Sequence, residues 1–222
     1  MSKYTTLLFD LDNTLLDFTR SEYVCIQKLF NENGLPSDDA AVKRYSEIND
    51  MYWKAFERGE IKAEQIYTGR FETFAAEKKI VLNPEALSSG YLKKLSSCVI
   101  KMPYCDEILS YCKEKGYTLA VITNGIPSCQ RGRIGLSGID NYISHLFISQ
   151  EIGDPKPEAA FFDKVFEEIE EKDKSKILVI GDSPTSDIKG AINVGIDSCF
   201  VGQHCSQATY TVKNLNELKT IL

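Results

Sequence analysis

Asp10 and Asp12 stand two positions apart in "FDLDNTLLDF" (Phe9 to Phe18), directly after a short apolar run, and Thr14 follows them. Later apolar runs deliver Thr123, Asn124 and Gly125, then Asp182, Ser183 and Asp187, while Lys156 sits between two prolines. Carboxylates gathered without compensation repel one another and shift their pKa values upward, so this set makes physical sense mainly around a cation. Hard oxygen ligands suggest Mg2+, which keeps several waters and commonly bridges a few carboxylates to a phosphate. The implied substrate is a phosphate ester.

With a phosphoryl group in place, one carboxylate can attack phosphorus and split a slow displacement into two easier steps, a role that suits Asp10. A second carboxyl two residues on can protonate the leaving oxygen and later take a proton from water, which suits Asp12. Lys156 would offset charge on the transferring group, and the Thr123 hydroxyl with nearby backbone N–H groups would orient its oxygens. Asp182 and Asp187 then remain for the metal. Asp182 or Asp187 could instead cap a helix starting near Pro184.

These residues need elements that converge. β-Rich runs recur at Tyr4 to Phe9, Tyr117 to Thr123, His145 to Ser149, Lys176 to Ile180 and Asp197 to Val201, separated from the second onward by amphipathic helical stretches. That alternation predicts an α/β fold with a parallel sheet, whose ligands bind beyond the carboxyl ends of the strands. "PYCDEILSYCKEKG" and "PEAAFFDKVFEEI" read as crossover helices, and Pro157 is expected to open the second, beside Lys156.

One connection breaks the alternation. Roughly 85 residues separate the first strand from the helix near Pro103, against ordinary connections of about 2 to 6. Four helices are expected there, at about 19 to 33, 38 to 58, 62 to 79 and 84 to 98, the first two ended by Gly34 and Gly59. Apolar stripes at Ile26, Leu29 and Phe30, at Val42, Tyr45, Ile48, Tyr52 and Phe56, and at Ile66, Phe71 and Phe74 support them. The expected organisation is a catalytic core of residues 1–16 and 101–222 with an all-helical cap of residues 17–100.

Composition narrows the rest. The net charge of −6 comes from 32 acidic and 26 basic residues spread along the chain, so no footprint for a nucleic-acid polymer or an anionic membrane is visible. No apolar run approaches the roughly 20 residues that span a bilayer, and no signal pattern opens the chain, so a cytoplasmic monomer or homodimer is expected. Seven cysteines without a CxxC pair read as reduced thiols, and His145 and His204 are too few and too far apart for a histidine metal cluster.

The residues above resemble the phosphatases of the haloacid dehalogenase superfamily. "DLDNT" (Asp10 to Thr14) matches the first motif, "VITNG" (Val121 to Gly125) the second, "DPKPEAAFF" (Asp154 to Phe162) the third and "VIGDSPTSD" (Val179 to Asp187) the fourth. The resemblance covers nearly the whole chain. It implies a Rossmann-like core, Asp10 as nucleophile and Asp12 as acid/base. Mg2+ would be held by the Asp10 side chain, the Asp12 backbone carbonyl and Asp182, with Asp187 mostly supporting those ligands.

The helical insert resembles the cap of the subgroup that closes over small metabolites. "YWKAFERGEI" (Tyr52 to Ile61) and "GRFETF" (Gly69 to Phe74) look most like the pyrimidine-type 5′-nucleotidase branch, acting on nucleoside monophosphates. Two departures are Gly132, expected to interrupt the helix after Gln130, and "CFVG" (Cys199 to Gly202), where relatives often carry a tryptophan and an asparagine. Substrate contacts are expected from Thr14, Asn124 and Gly125. Three cap positions are candidates: Phe18 at the hinge, Arg70 able to stack on a base or pair with phosphate, and Trp53, whose spacing equally suits the cap core. Competing readings are a sugar-phosphate phosphatase or phosphomutase, a haloacid dehalogenase, and a phosphate-binding module without catalysis.

Overall fold

The computed structural model describes residues 3–222. Strand β1 (Thr6–Phe9) is followed by four helices, α1 (Phe18–Glu32), α2 (Asp39–Glu57), α3 (Ala63–Lys78) and α4 (Pro84–Ser96). The alternating part then runs α5 (Cys105–Glu114), β2 (Thr118–Thr123), α6 (Pro127–Ser137), β3 (His145–Ile148), α7 (Ser149–Ile152), α8 (Ala159–Glu168), β4 (Ile177–Gly181), α9 (Lys189–Val194), β5 (Asp197–Val201) and β6 (Tyr210–Val212). The strands form one sheet in the order β3-β2-β1-β4-β5-β6, and every pair is parallel.

Two compact units emerge, one of residues up to Asp17 together with Ile100–Leu222, the other Phe18–Val99. In the first, successive strand side chains alternate between the two faces of the sheet. Leu8, Ala120, Ile122, Ile177 and Val179 bury one face in a cluster with Phe161, Phe162 and Val165 of α8 and Ala191 of α9. The intervening Leu7, Phe9, Leu119, Val121, Leu178 and Ile180 are buried as well, as a parallel sheet covered on both sides requires. Strand β6, only three residues long, is too short for periodicity to announce it.

The chain leaves and re-enters this unit through adjacent segments. Leu16 pairs with Lys101, Asp17 N donates to Ile100 O at 2.8 Å, and Met102 N donates to Leu15 O at 2.9 Å. In the second unit, the residues of the expected stripes make the core: Phe30, Tyr45, Phe71 and Phe74 are fully buried, with ring centroids of Phe30 and Phe74 4.8 Å apart and of Tyr45 and Phe71 5.1 Å apart. Local signals fix the helix ends. Asp38 accepts from Ala41 N and Asn83 from Ala86 N, while Gly34 and Gly59 take the left-handed conformation that stops a helix.

Two expectations about helices are corrected. Helix α6 runs unbroken through Gly132 and stops only at Gly138. A single helical glycine costs about 1 kcal/mol relative to alanine, too little to break a helix opened by Pro127 and anchored by buried side chains on both sides of it. Helix α8 begins at Ala159 with Glu158 as its cap, so Pro157 lies in the turn before it rather than at its first position.

Candidate active site

Register decides which residues meet. Phe9 is level with Val121 of β2 and Ile180 of β4, so the residues that follow these strands emerge side by side at one edge of the sheet. Asp10 N still donates to Ile180 O at 2.8 Å, which carries the sheet one residue past β1. The chain then turns sharply: Asn13 adopts a left-handed conformation that asparagine tolerates, and Leu15 N and Leu16 N both donate to Leu11 O. This turn presents Asp10 and Asp12 at the edge.

Carboxylate oxygens of Asp10, Asp182 and Asp187 all lie within 4.8 Å of one another. Lys156 is buried among them, and its ammonium donates to Asp10 Oδ1 at 2.7 Å, Asp187 Oδ1 at 2.7 Å and Ile122 O at 3.0 Å. Its three protons are therefore committed to this chain. Within the chain, Lys156 compensates Asp10 and Asp187 and fixes their orientation. Burial works against its charged form, yet the two aspartates outweigh burial and hold its pKa above the usual lysine value.

Three carboxylates against one ammonium leave a formal surplus of two negative charges. Asp10 is pushed up to about 7, first by burial and then, against the pull of Lys156, by Asp187 and Asp12. Asp182 is pushed up to about 8, by burial and then by Asp10 and Asp187. Asp187 accepts from Lys156 through Oδ1 and from Ser183 N through Oδ2 at 3.1 Å, whereas Asp182 accepts no side-chain hydrogen bond among the described residues. The arrangement fits a divalent cation, with Asp10 and Asp182 the oxygens still in need of one. Gly181 makes it sterically feasible, since a Cβ there would lie 2.2 Å from Asp187 Oδ2. Ser183, rather than either aspartate, caps the π-helical turn Pro184–Ile188 by accepting from Ser186 N.

Residues 7–201 match the haloacid dehalogenase-like hydrolase family. The chain belongs to that family. It is 33% identical over 221 residues to the pyrimidine 5′-nucleotidase PynA of Streptococcus pneumoniae, covering 97% of this chain and 93% of the relative. It is 28% identical to the pyrimidine 5′-nucleotidase YjjG of Escherichia coli, over 99% of this chain and 98% of that one. The crystal structure of the HAD-hydrolase YfnB from Bacillus subtilis, bound to magnesium, superposes with a TM-score of 0.93 at 31% identity, over 99% of this chain and 98% of that chain.

Within the family fold, the second motif behaves differently from its sequence reading. Thr123 Oγ1 accepts from Gly125 N at 3.1 Å and from Gln130 Nε2 at 2.8 Å, so both lone pairs are occupied and its proton is left to donate. Asn124, expected on the substrate, holds the third motif instead: Nδ2 donates to Lys156 O and Oδ1 accepts from Lys156 N, both at 2.9 Å. Gly125 is needed for space, because a Cβ there would lie 2.0 Å from Gln130 Nε2.

Gln130 and Arg133, both fully buried on α6, escaped the sequence reading. Gln130 Nε2 donates to Asp12 Oδ2 at 2.8 Å, and Arg133 Nη1 donates to Asp12 Oδ1. Their three-residue spacing on the helix that follows the second motif was the available signal, obscured by treating Gly132 as a break.

Thr14 is fully buried in the turn, its hydroxyl without a partner among the described residues. Phe18 opens α1, and Trp53 on α2 is half-buried and edge-on to Phe56, ring centroids 5.9 Å apart. Arg70, which was expected to offer its guanidinium to a substrate, is buried instead: Nη1 donates to Asn49 Oδ1 at 2.8 Å and the group lies 4.7 Å over the Tyr91 ring. Asn49 in turn donates to the buried Glu22 at 2.7 Å. No helix among the described residues is long and apolar enough to cross a membrane.

Proposed function

We propose that this protein is a Mg2+-dependent phosphatase that hydrolyses nucleoside 5′-monophosphates through an aspartyl-phosphate on Asp10. The observation that carries the reading is the buried Asp10, held at Oδ1 by Lys156 inside a carboxylate cluster with two uncompensated charges. The similarity to PynA and YjjG, both named pyrimidine 5′-nucleotidases, supports the substrate class. Residues 1–16 and 101–222 are the catalytic core in this reading, and residues 17–100 are the cap that selects the leaving group.

Asp10 and Asp182 would hold Mg2+ with the Asp12 backbone carbonyl, while Asp187 supports them through Lys156 and Ser183. The ion supplies charge neutralisation of the phosphoryl oxygens. The Asp10 carboxylate attacks phosphorus as the ester P–O bond breaks, and Asp12 gives its proton to the departing alkoxide. A water then loses a proton to Asp12 and attacks the same phosphorus, releasing phosphate and restoring the Asp10 carboxylate. Thr123 donates its free proton to a phosphoryl oxygen throughout.

The test is Mg2+-dependent phosphate release from nucleoside 5′-monophosphates and sugar phosphates side by side. The expected kcat/KM for pyrimidine nucleotides exceeds that for sugar phosphates by at least about tenfold, a margin of about 1.4 kcal/mol in transition-state binding. Preference for a sugar phosphate, or conversion of one sugar phosphate into another without net phosphate release, would transfer the assignment to the competing readings.

The carboxyl cluster also predicts how stability responds to metal and pH. The folded carboxyls of Asp10 and Asp182 retain protons up to about 7 and about 8, above the ordinary 3.8 of an unfolded aspartate, so the folded state binds more protons in between. Stability of the metal-free protein therefore falls as pH rises across that window. Millimolar Mg2+ is expected to raise Tm more at about pH 8 than at about pH 6, where protons compete with it, and Asp182→Asn is expected to lose most of the shift. Equal shifts at both pH values, or an undiminished shift in Asp182→Asn, would contradict the assignment of these oxygens.

A further inference from the structure

We infer that Gln130 and Arg133 are positioning residues for Asp12, a role that rests on reading Asp12 as the proton donor to the leaving group. Both lie on one side of α6 and reach the same carboxylate, Gln130 through Oδ2 at 2.8 Å and Arg133 through Oδ1. The two are also joined to each other, since Arg133 Nη1 donates to Gln130 Oε1 at 3.2 Å. That bond fixes the amide: with Oε1 turned to the guanidinium, Nε2 must face the acceptors Asp12 Oδ2 and Thr123 Oγ1, and it donates to both.

Burial separates this arrangement from an ordinary surface ion pair. The Arg133 side chain is fully buried while that of Asp12 is 27% exposed, so a buried cation anchors a carboxylate that still faces solvent. Such an anchor loses little freedom when it forms the contact, because its own side chain is already immobilised by packing. The Gln130 amide also donates to Thr123 Oγ1, but Gly125 N donates to the same oxygen at 3.1 Å, so Thr123 keeps an anchor of its own when Gln130 is replaced, whereas Asp12 Oδ2 loses its donor. Gly125 is part of the device, since any side chain there would displace the amide.

A positioned general acid matters in proportion to the leaving group's need for a proton. An alkoxide leaving from a nucleoside 5′-monophosphate needs it; 4-nitrophenolate does not. The value of kcat/KM counts only steps up to the first irreversible one, the phosphorylation of Asp10, so the later work of Asp12 on water does not enter.

The experiment compares kcat/KM for uridine 5′-monophosphate and 4-nitrophenyl phosphate in Arg133→Met, Gln130→Leu and Asp12→Asn, with circular dichroism confirming that each is folded. Arg133→Met and Gln130→Leu are expected to lose on the order of tenfold to a hundredfold on the nucleotide and under about threefold on the aryl ester, in the same direction as Asp12→Asn. Arg133→Lys, which keeps the charge without the planar fork, is expected to fall between Arg133→Met and the wild type. Equal losses on both esters in the α6 variants, with Asp12→Asn still selective, would overturn the positioning role and leave the proton-donor reading intact. An Asp12→Asn variant that is itself unselective would overturn that reading and the inference with it. If Arg133→Met does not fold, the Gln130→Leu result decides by the same criteria.

Discussion

Asp10→Asn is expected to lower the rate of phosphate release by at least about 10⁴-fold while leaving the protein folded. The amide occupies the carboxylate's volume but cannot form the acyl-phosphate, and no neighbouring carboxylate can take over. Asp182 is assigned to the cation in the proposed reading, Asp187 has both oxygens bonded to Lys156 and Ser183, and Asp12 is held by Gln130 and Arg133. The fold tolerates the change because Lys156 retains Asp187 and the Ile122 carbonyl as partners. A malachite-green assay under saturating substrate, with thermal unfolding alongside, checks both halves. Activity within about tenfold of the wild type would remove Asp10 from the role of nucleophile.

Lys156→Met is the second large effect, and it acts on stability as well as on rate. The methionine fills most of the space but leaves Asp10 and Asp187 facing each other without their shared cation, at 7% and 0% exposure. Removing one partner from a buried ion pair costs about 3–5 kcal/mol, because the remaining charge has neither water nor a counter-ion. Urea unfolding is the direct measurement, and a loss below about 1 kcal/mol would mean that the two carboxylates are not compensated through Lys156. Lys156→Arg is not expected to rescue, since a planar guanidinium cannot donate to three acceptors arranged around a single nitrogen. Added Mg2+ is expected to recover part of the lost stability by supplying the missing positive charge.

Much of the fold was legible because its elements are strongly patterned. The buried runs Thr6–Phe9, Thr118–Thr123 and Ile177–Gly181 carry β-branched and aliphatic residues with turn chemistry at their ends, and the four helices of the insert carry apolar stripes stopped by Gly34 and Gly59. Strand β6 was not, because three residues carry no period. The gathering of Asp10, Lys156, Asp182 and Asp187 at one sheet edge followed from the rule for parallel sheets, since each lies between a strand and the helix that follows.

Partnership was harder to read than placement. Sequence alone cannot distinguish an asparagine that faces substrate from one that, like Asn124, is fully engaged with the backbone of Lys156 thirty-two residues away. Gln130 and Arg133 were hidden for a related reason: polar residues on a helix are usually solvated, and only their contact with Asp12, more than a hundred residues earlier, shows that these two face inward. Arg70 illustrates the same limit in the helical insert, where a residue suited to bind phosphate is instead buried against Asn49 and Tyr91.

The central claim is a covalent phosphoryl group on Asp10, and acid quenching during turnover tests it directly. Wild-type protein mixed with Mg2+ and uridine 5′-monophosphate, stopped within a single turnover and digested, is expected to carry a phosphoryl adduct on the peptide containing Asp10. The adduct should be absent from Asp10→Asn treated in the same way. Phosphate released at the normal rate with no adduct on that peptide at any quench time, or an adduct that persists in Asp10→Asn, would contradict the account.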